Sequence, residues 1–270
     1  MQTWKNEDVP AAWKPGQESL LKALPSDYTY VYLTDKAMFE FVDFAFPEFS
    51  ENFALMPHPI QRADILRYLW LYAYGGIYMD LDYFVIRPFT HFIEALSGPI
   101  MVIHSSNVGT ILTNSFIIAR PGVPFFLDLA REALENPKTS WASVSKHLEV
   151  MMTTGPLAFD RFVRSSGVPY TVLPQKLFLP TSPMIDDHEG LQGYMKPLEG
   201  GSWNSGDSAI LNFLNKYKFF VISGLILFLV YKLLDGFLAR LLLKLVIKRM
   251  KRSQKELQSL RVLLAGEKLL

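Results

Sequence analysis

The stretch "RADILRYLWLYAYGGIYMDLDYFVIRPF", starting at Arg62, constrains this chain more than any other. It starts inside a helix that Pro59 opens, with apolar residues recurring at 60, 63, 66, 69, 70 and 73 and a Gly75-Gly76 stop. The glycines turn that helix straight into "IYMDLDYFVI", which reads as a strand closed by Arg87-Pro88. Residues two apart on a strand point to the same side, so Asp80 and Asp82 are expected to present both carboxylates together. Two unpaired carboxylates in an apolar run repel one another and lose hydration. A divalent cation relieves both costs, and hard oxygen ligands suit Mn²⁺ or Mg²⁺, with open positions left for phosphate oxygens. Asp64 and Arg67, three apart, share a helix face and are brought back toward that strand end. Cation, guanidinium and carboxylates at the carboxyl end of a strand describe a nucleoside-diphosphate site.

The rest of the chain supplies strands and helices in alternation. "YTYVYLT" (28–34), "IMVIH" (100–104), "NSFIIA" (114–119) and "YTVLP" (170–174) read as strands. Helices are expected over 35–55, broken at Pro47, over 124–135 and over 141–152. This order predicts an α/β sheet with helices on both faces.

Net charge is +1 over 270 residues, but it is unevenly placed. From Lys216 onward there are 12 basic and 3 acidic residues, against 15 and 23 before it. An acidic globular part with a basic tail excludes a fold that is basic throughout and binds nucleic acid. The absence of cysteine excludes disulfide and thiolate chemistry. "FFVISGLILFLVY" (219–231) alone rises only ~20 Å, but Lys218 and Lys232 can snorkel, so 216–235 is expected to cross a membrane. The segment 236–270 follows as a basic amphipathic tail, with Arg240, Lys244 and Lys248 four apart, suited to anionic lipid. The basic excess places the tail in the cytosol and residues 1–215 in the lumen, in the Golgi or elsewhere in the secretory pathway.

Several stretches in order resemble one family. "QTWK" (2–5), "ADILRYLWLYAYGGIYMDLD" (63–82), "TNSFIIARPGVPF" (113–125), "TGP" (154–156) and "GGSW" (200–203) look like the Och1-type and inositol phosphoceramide mannosyltransferases of glycosyltransferase family 32. The resemblance implies a GT-A-type nucleotide-sugar-binding sheet, a divalent cation (Mn²⁺ before Mg²⁺) and hexosyl transfer with retention. The donor it implies is GDP-mannose, or a UDP-hexose. The acceptor is a membrane lipid such as inositol phosphoceramide, or a glycan. Carried over by position, Asp82 is the main metal ligand and Asp80 contacts the donor and the metal's water shell. Asp64 binds donor hydroxyls, Arg67 the diphosphate, and Asn114 lines the sugar pocket. Trp4 stacks on the base, and Trp203 approaches the glycosidic oxygen. Asn204, where relatives often have histidine, or Asp207 supplements the metal site. No carboxylate stands out as a nucleophile, which favours same-face attack assisted by the leaving phosphate. Relatives begin with an apolar strand before "QTW", so the first strand is expected to be missing here. Two rivals follow from the residues: a non-catalytic membrane subunit that keeps the fold, and a D-x-D phosphatase of haloacid dehalogenase type. The phosphatase wants Thr or Val where Phe84 stands.

Overall fold

The structure is a computed structural model. It describes residues 1–94, 98–105, 110–137, 145–174, 178 and 193–198, and then 217, 223–224, 227–228, 230–232, 236 and 240–255. The chain divides into two units, Met1–Asp207 and Ser208–Leu270.

The first unit runs β1 (Gln2–Thr3), α1 (Lys14–Ala23), β2 (Tyr32–Leu33), α2 (Asp35–Ala45), α3 (Ser50–Ala54) and α4 (Pro59–Tyr74). Then come β3 (Gly76–Met79), β4 (Tyr83–Val85), α5 (His91–Glu94), β5 (Ile100–His104) and β6 (Leu112–Ala119). It continues with α6 (Pro124–Glu135), α7 (Lys146–Thr153), α8 (Pro156–Ser166), β7 (Tyr170–Val172) and β8 (Met195–Pro197).

The central sheet has the order β3-β6-β5-β7 and is mixed: β6 is antiparallel to β3 and β5, and β5 is parallel to β7. Side chains alternate across it as the pleat requires. Ile100, Val102, Ile117 and Ala119 face one core, with buried residues of α4, α6 and α8. Met101, Ile103, Phe116 and Ile118 face the other, with Leu20 of α1 and Tyr83, Val85 and Met195 of the β4–β8 ribbon. The chain is therefore α/β as expected. Helices dominate only one face, while the other is covered by α1 and the ribbon.

At the sheet edge, β1 pairs parallel with β2. The Met1 nitrogen donates to Ile77 O (2.6 Å) and Met79 N donates to Met1 O (3.3 Å), the pattern of a parallel bridge to β3. Residues of "QTW" thus lie between β2 and β3. All three strands end on the same side.

The helix α4 keeps its expected limits. Pro59 takes its first turn, Gln61 Oε1 accepts from His58 N–H (3.1 Å), and Gly75 and Gly76 take φ of 65° and 86° to turn the chain into β3. Its burial differs from the expected stripe. Asp64, Ile65, Leu66, Arg67, Tyr68, Leu69 and Leu71 are buried, so α4 is enclosed on most sides, and two charges go in with it.

Three other expectations change. Asp80 and Asp82 are not on a strand: β3 ends at Met79, and Asp80-Leu81-Asp82 form the turn into β4. The segment 28–34 contributes only Tyr32–Leu33 as strand, because just its carboxyl end meets β1. Helices α1 and α8 were not anticipated, although α8 has the apolar spacing Phe159, Phe162, Val163 after Pro156.

In the second unit, residues 240–255 are helical and exposed, including Leu241, Leu242, Leu245, Val246 and Met250. The expected span over 216–235 lies largely outside the described residues. Among the described residues, no helix is long and apolar enough to cross a membrane, so that expectation gains no support.

Candidate active site

The carboxyl ends of β1, β2 and β3 open onto a cavity of about 330 Å³. Its wall includes Trp4 and Lys5 after β1, Asp35 after β2, and Tyr78, Asp80 and Asp82 at the end of β3. Arg67 and Ala63 of α4, Trp13, and Lys146 at the start of α7 also line it. Aromatic, acidic and basic groups therefore meet around one space.

Behind this wall lies a buried polar frame. Arg67 Nη2 sits 3.0 Å from Asp64 Oδ1, and Arg67 Nη1 sits 3.2 Å from Asp80 Oδ1. Arg67 Nη1 also donates to Asn114 O at 2.8 Å, and the guanidinium lies 4.3 Å from the Tyr78 ring centre. Asn114 Nδ2 donates to Asp64 Oδ1 and to the Tyr68 hydroxyl, both at 2.9 Å, while Thr154 Oγ1 donates to Asp64 Oδ2 at 2.8 Å. Tyr68 in turn donates to Thr154 O (2.6 Å). Every charge here is paired and every donor has an acceptor, the condition for a buried ionic network to survive.

The frame holds Asp80 at one oxygen only. Tyr78 Oη donates to Asp80 Oδ1 (2.6 Å), the same atom that faces Arg67. Burial raises the Tyr78 phenol well above its ordinary value, so it remains a proton donor. Asp80 Oδ2 has no partner among the described residues. Burial, and then the charge of Asp80, push the Asp82 carboxyl up to about 7. Two neighbouring carboxylates, one with a free oxygen and the other reluctant to ionise, fit a divalent cation. Among the described residues, no cluster of three or more His, Cys, Asp or Glu adds a further ligand.

The turn itself is clamped from below. Gly16 of α1 lies so close that a Cβ there would stand 2.5 Å from Tyr83 O and 2.8 Å from Leu81 O. Ser19 Oγ accepts from Val85 N (2.8 Å), and Leu198 N donates to Asp82 O (2.7 Å).

The structure brings Trp4, Arg67, Asp80 and Asp82 to the cavity wall. It places Asp64 and Asn114 in the frame behind that wall, where their side chains serve Arg67, Tyr68 and Thr154. Trp203, Asn204 and Asp207 lie outside the described residues. Arg62 turns away, donating to Met56 O (3.0 Å). Sequence reasoning missed Trp13, Asp35 and Lys146 on the wall. Trp13 meets Trp4 edge-to-face at 4.9 Å, a pairing its loop position did not signal.

Comparison with known proteins agrees with this geometry. Residues 10–99 match the family described as the glycosyltransferase sugar-binding region containing DXD motif. Inositol phosphoceramide mannosyltransferase 2 of Schizosaccharomyces pombe is 30% identical over 231 residues, 82% of this chain and 62% of that protein. Mannosyl phosphorylinositol ceramide synthase SUR1 of Saccharomyces cerevisiae is 35% identical over 156 residues, 58% of this chain and 38% of its own. The initiation-specific alpha-1,6-mannosyltransferase of the same yeast is 34% identical over 94 residues, 32% of this chain and 20% of its own. The chain thus spans about three fifths of the length of the first of these relatives. Among solved structures, the PaToxG glycosyltransferase gives a TM-score of 0.41 at 18% identity, over 62% of this chain and 67% of its own, a loose likeness. The D-x-D turn that the frame presents to the cavity falls within the matched region and carries that family's motif, and over residues 10–99 the chain is similar to the DXD-containing glycosyltransferases.

Proposed function

We propose that this protein is a metal-dependent, retaining hexosyltransferase. It moves mannose from GDP-mannose, rather than a hexose from UDP, to an inositol phosphoceramide lipid or a glycan. The observation that carries the reading is one cavity lined by Asp80, Asp82, Arg67 and Trp4, in a chain related to mannosyltransferases named for that lipid.

Asp82 and Asp80 Oδ2 would hold the cation, Mn²⁺ in preference to Mg²⁺. When bound it supplies Lewis-acid neutralisation of the diphosphate leaving group. Arg67 keeps Asp80 oriented and adds fixed positive charge at the cavity floor, pre-organised because the frame has already set its geometry. Trp4 offers a ring face to the base, and a stacked base is worth ~1–3 kcal/mol on comparable platforms. Lys5 and Lys146 add mobile charge on the wall for phosphate oxygens. Asp64 and Asn114 act through Arg67 and Tyr68. By the resemblance, Trp203 would approach the glycosidic oxygen and Asn204 or Asp207 would supplement the metal site. Same-face attack by the acceptor hydroxyl accounts for retention. Residues 216–235 would cross a secretory-pathway membrane with residues 1–215 on the lumenal side, and the exposed helix over 240–255, with seven basic and no acidic residues, would rest on anionic lipid on the cytosolic side.

The test is donor hydrolysis by the full chain in detergent, offered GDP-mannose, UDP-glucose and UDP-galactose with Mn²⁺ or EDTA. GDP release from GDP-mannose alone, abolished by EDTA and by Asp82→Ala, is the expected result. Adding inositol phosphoceramide should then yield a mannosylated lipid. No nucleotide release from any donor would leave the fold without this activity.

A further inference from the structure

We propose that Asp35 reads the base of the donor and selects guanine; the inference rests on the nucleotide-sugar reading above and adds the residue that chooses the nucleotide. Strand order sets the positions. β2, the segment of β1 and β3 lie side by side in parallel, joined by Gln2↔Tyr32 and Thr3↔Leu33 on one flank and by the Met1 bridge to Ile77 and Met79 on the other. Their carboxyl ends therefore present three stations in a row: Asp35 after β2, Trp4 and Lys5 after β1, and Asp80 and Asp82 after β3. All three line the same cavity.

Neighbouring strands lie about 4.8 Å apart, so Asp35 is two strand spacings, on the order of 10 Å, from the D-x-D end. That is the span from a nucleotide's diphosphate to the outer edge of its base. A nucleotide with its diphosphate at Asp80 and Asp82 and its base on Trp4 points its hydrogen-bonding edge at Asp35.

Asp35 is free for such a role. Its backbone N–H donates to Lys5 O (3.4 Å), which ties it beside the Trp4 station. Its carboxylate has no hydrogen bond or ion pair among the described residues, and the residue is half-buried. The bland use of an acid at the first position of α2, favourable interaction with the helix dipole, requires no cavity. A carboxylate offers two acceptor oxygens and no donor. Guanine presents two adjacent donors, N1–H and the 2-amino group, and matches both oxygens. Uracil presents one donor, N3–H, between two carbonyls that face the carboxylate unfavourably. Hypoxanthine keeps N1–H but lacks the amino group. Xanthine replaces that amino donor with a carbonyl.

The test measures binding of GDP, inosine diphosphate, xanthosine diphosphate and UDP to the full chain with Mn²⁺, by calorimetry and tryptophan quenching, for wild type and Asp35→Asn. Wild type should bind GDP about tenfold or more tighter than UDP or xanthosine diphosphate, with inosine diphosphate between, since an unmatched buried polar group is strongly rejected. Asp35→Asn gains a donor and should reverse the order of GDP and xanthosine diphosphate. A dipole or packing role cannot produce that reversal. The melting temperature of the variant reports that it is folded. If wild type prefers UDP, or if Asp35→Asn leaves the GDP-to-xanthosine ratio unchanged, Asp35 does not read the base and the donor reading survives by itself. If no nucleoside diphosphate binds wild type, both readings fall.

Discussion

Arg67 is the residue on which the site depends, and its dependence is structural before it is chemical. Its guanidinium meets Asp64, Asp80 and the carbonyl of Asn114 while only 3% exposed. Removing one partner of a buried pair leaves an uncompensated charge, so Arg67→Ala should cost about 3–5 kcal/mol, read as a lowered urea midpoint. Arg67→Lys keeps the charge but loses the fork, and should fall between the variant and wild type. Thr154→Val deletes the donor to Asp64 Oδ2 and should cost about 1–3 kcal/mol, with a smaller loss of metal affinity than Asp82→Ala. The sequence made Arg67, Asp80 and Asp82 conspicuous, because charges inside an apolar run demand a reason. It gave Thr154 and Tyr78 no role, although both fall in stretches that carry the resemblance, since a hydroxyl in an ordinary position announces nothing until its acceptor is in space. It assigned Asp64 to the donor for a sound reason, a shared helix face with Arg67. The spacing that puts the two side by side also lets them neutralise each other inside the fold.

At the level of elements, the local signals that limit α4 and open α6 were read correctly, while those around α8, Pro156 and the left-handed Gly167, were passed over. Pro59 and Gly75-Gly76 bracket α4, and Pro124 opens α6, because these residues act through their own backbone. Limits set by a partner were not readable. The apolar run past Met79 looks like a continuing strand, yet pairing with β6 stops at Met79↔Phe116 and a new pairing with β8 starts at Tyr83↔Pro197. The contact of α1 with the D-x-D turn was equally hidden, because a glycine inside a helix usually reads as a weakness. Gly16→Ala should cost about 1–3 kcal/mol as overpacking against the carbonyls of Leu81 and Tyr83. Its distinguishing effect should be on Mn²⁺ affinity, measured by titration, because the displaced backbone carries Asp82.

For the whole molecule, the carboxylate pair makes stability a function of pH. The Asp82 carboxyl is pushed up to about 7 in the metal-free fold, chiefly by burial, and stands near about 3.9 in the unfolded chain. Between those values the folded form holds a proton that the unfolded form has released. The metal-free protein should therefore lose this contribution as pH rises from about 4 through about 7. Saturating Mn²⁺ favours the ionised form, so the gain in melting temperature on adding Mn²⁺ should grow across the same window, which calorimetry with and without EDTA would record. The basic helix over 240–255 predicts a separate dependence on salt. The full chain should sediment with anionic vesicles, and ~1 M salt should release a charge-driven part of that binding.

The bond from Leu198 N to Asp82 O joins points 116 residues apart in the chain, just where β8 ends and the D-x-D turn begins its return to β4. Consequently the loop that carries Asp80 and Asp82, the proposed metal ligands, is fastened by the last described strand of the first unit as well as by the Gly16 face of α1. During synthesis Asp80 and Asp82 emerge early, but the bond from Leu198 that fastens their turn forms only once residue 198 has been made. A ribosome-bound chain stopped before β8 should already protect the β3–β6–β5 sheet from proteases, yet bind no Mn²⁺, so the capacity for chemistry would arrive as one of the last events in the folding of this unit.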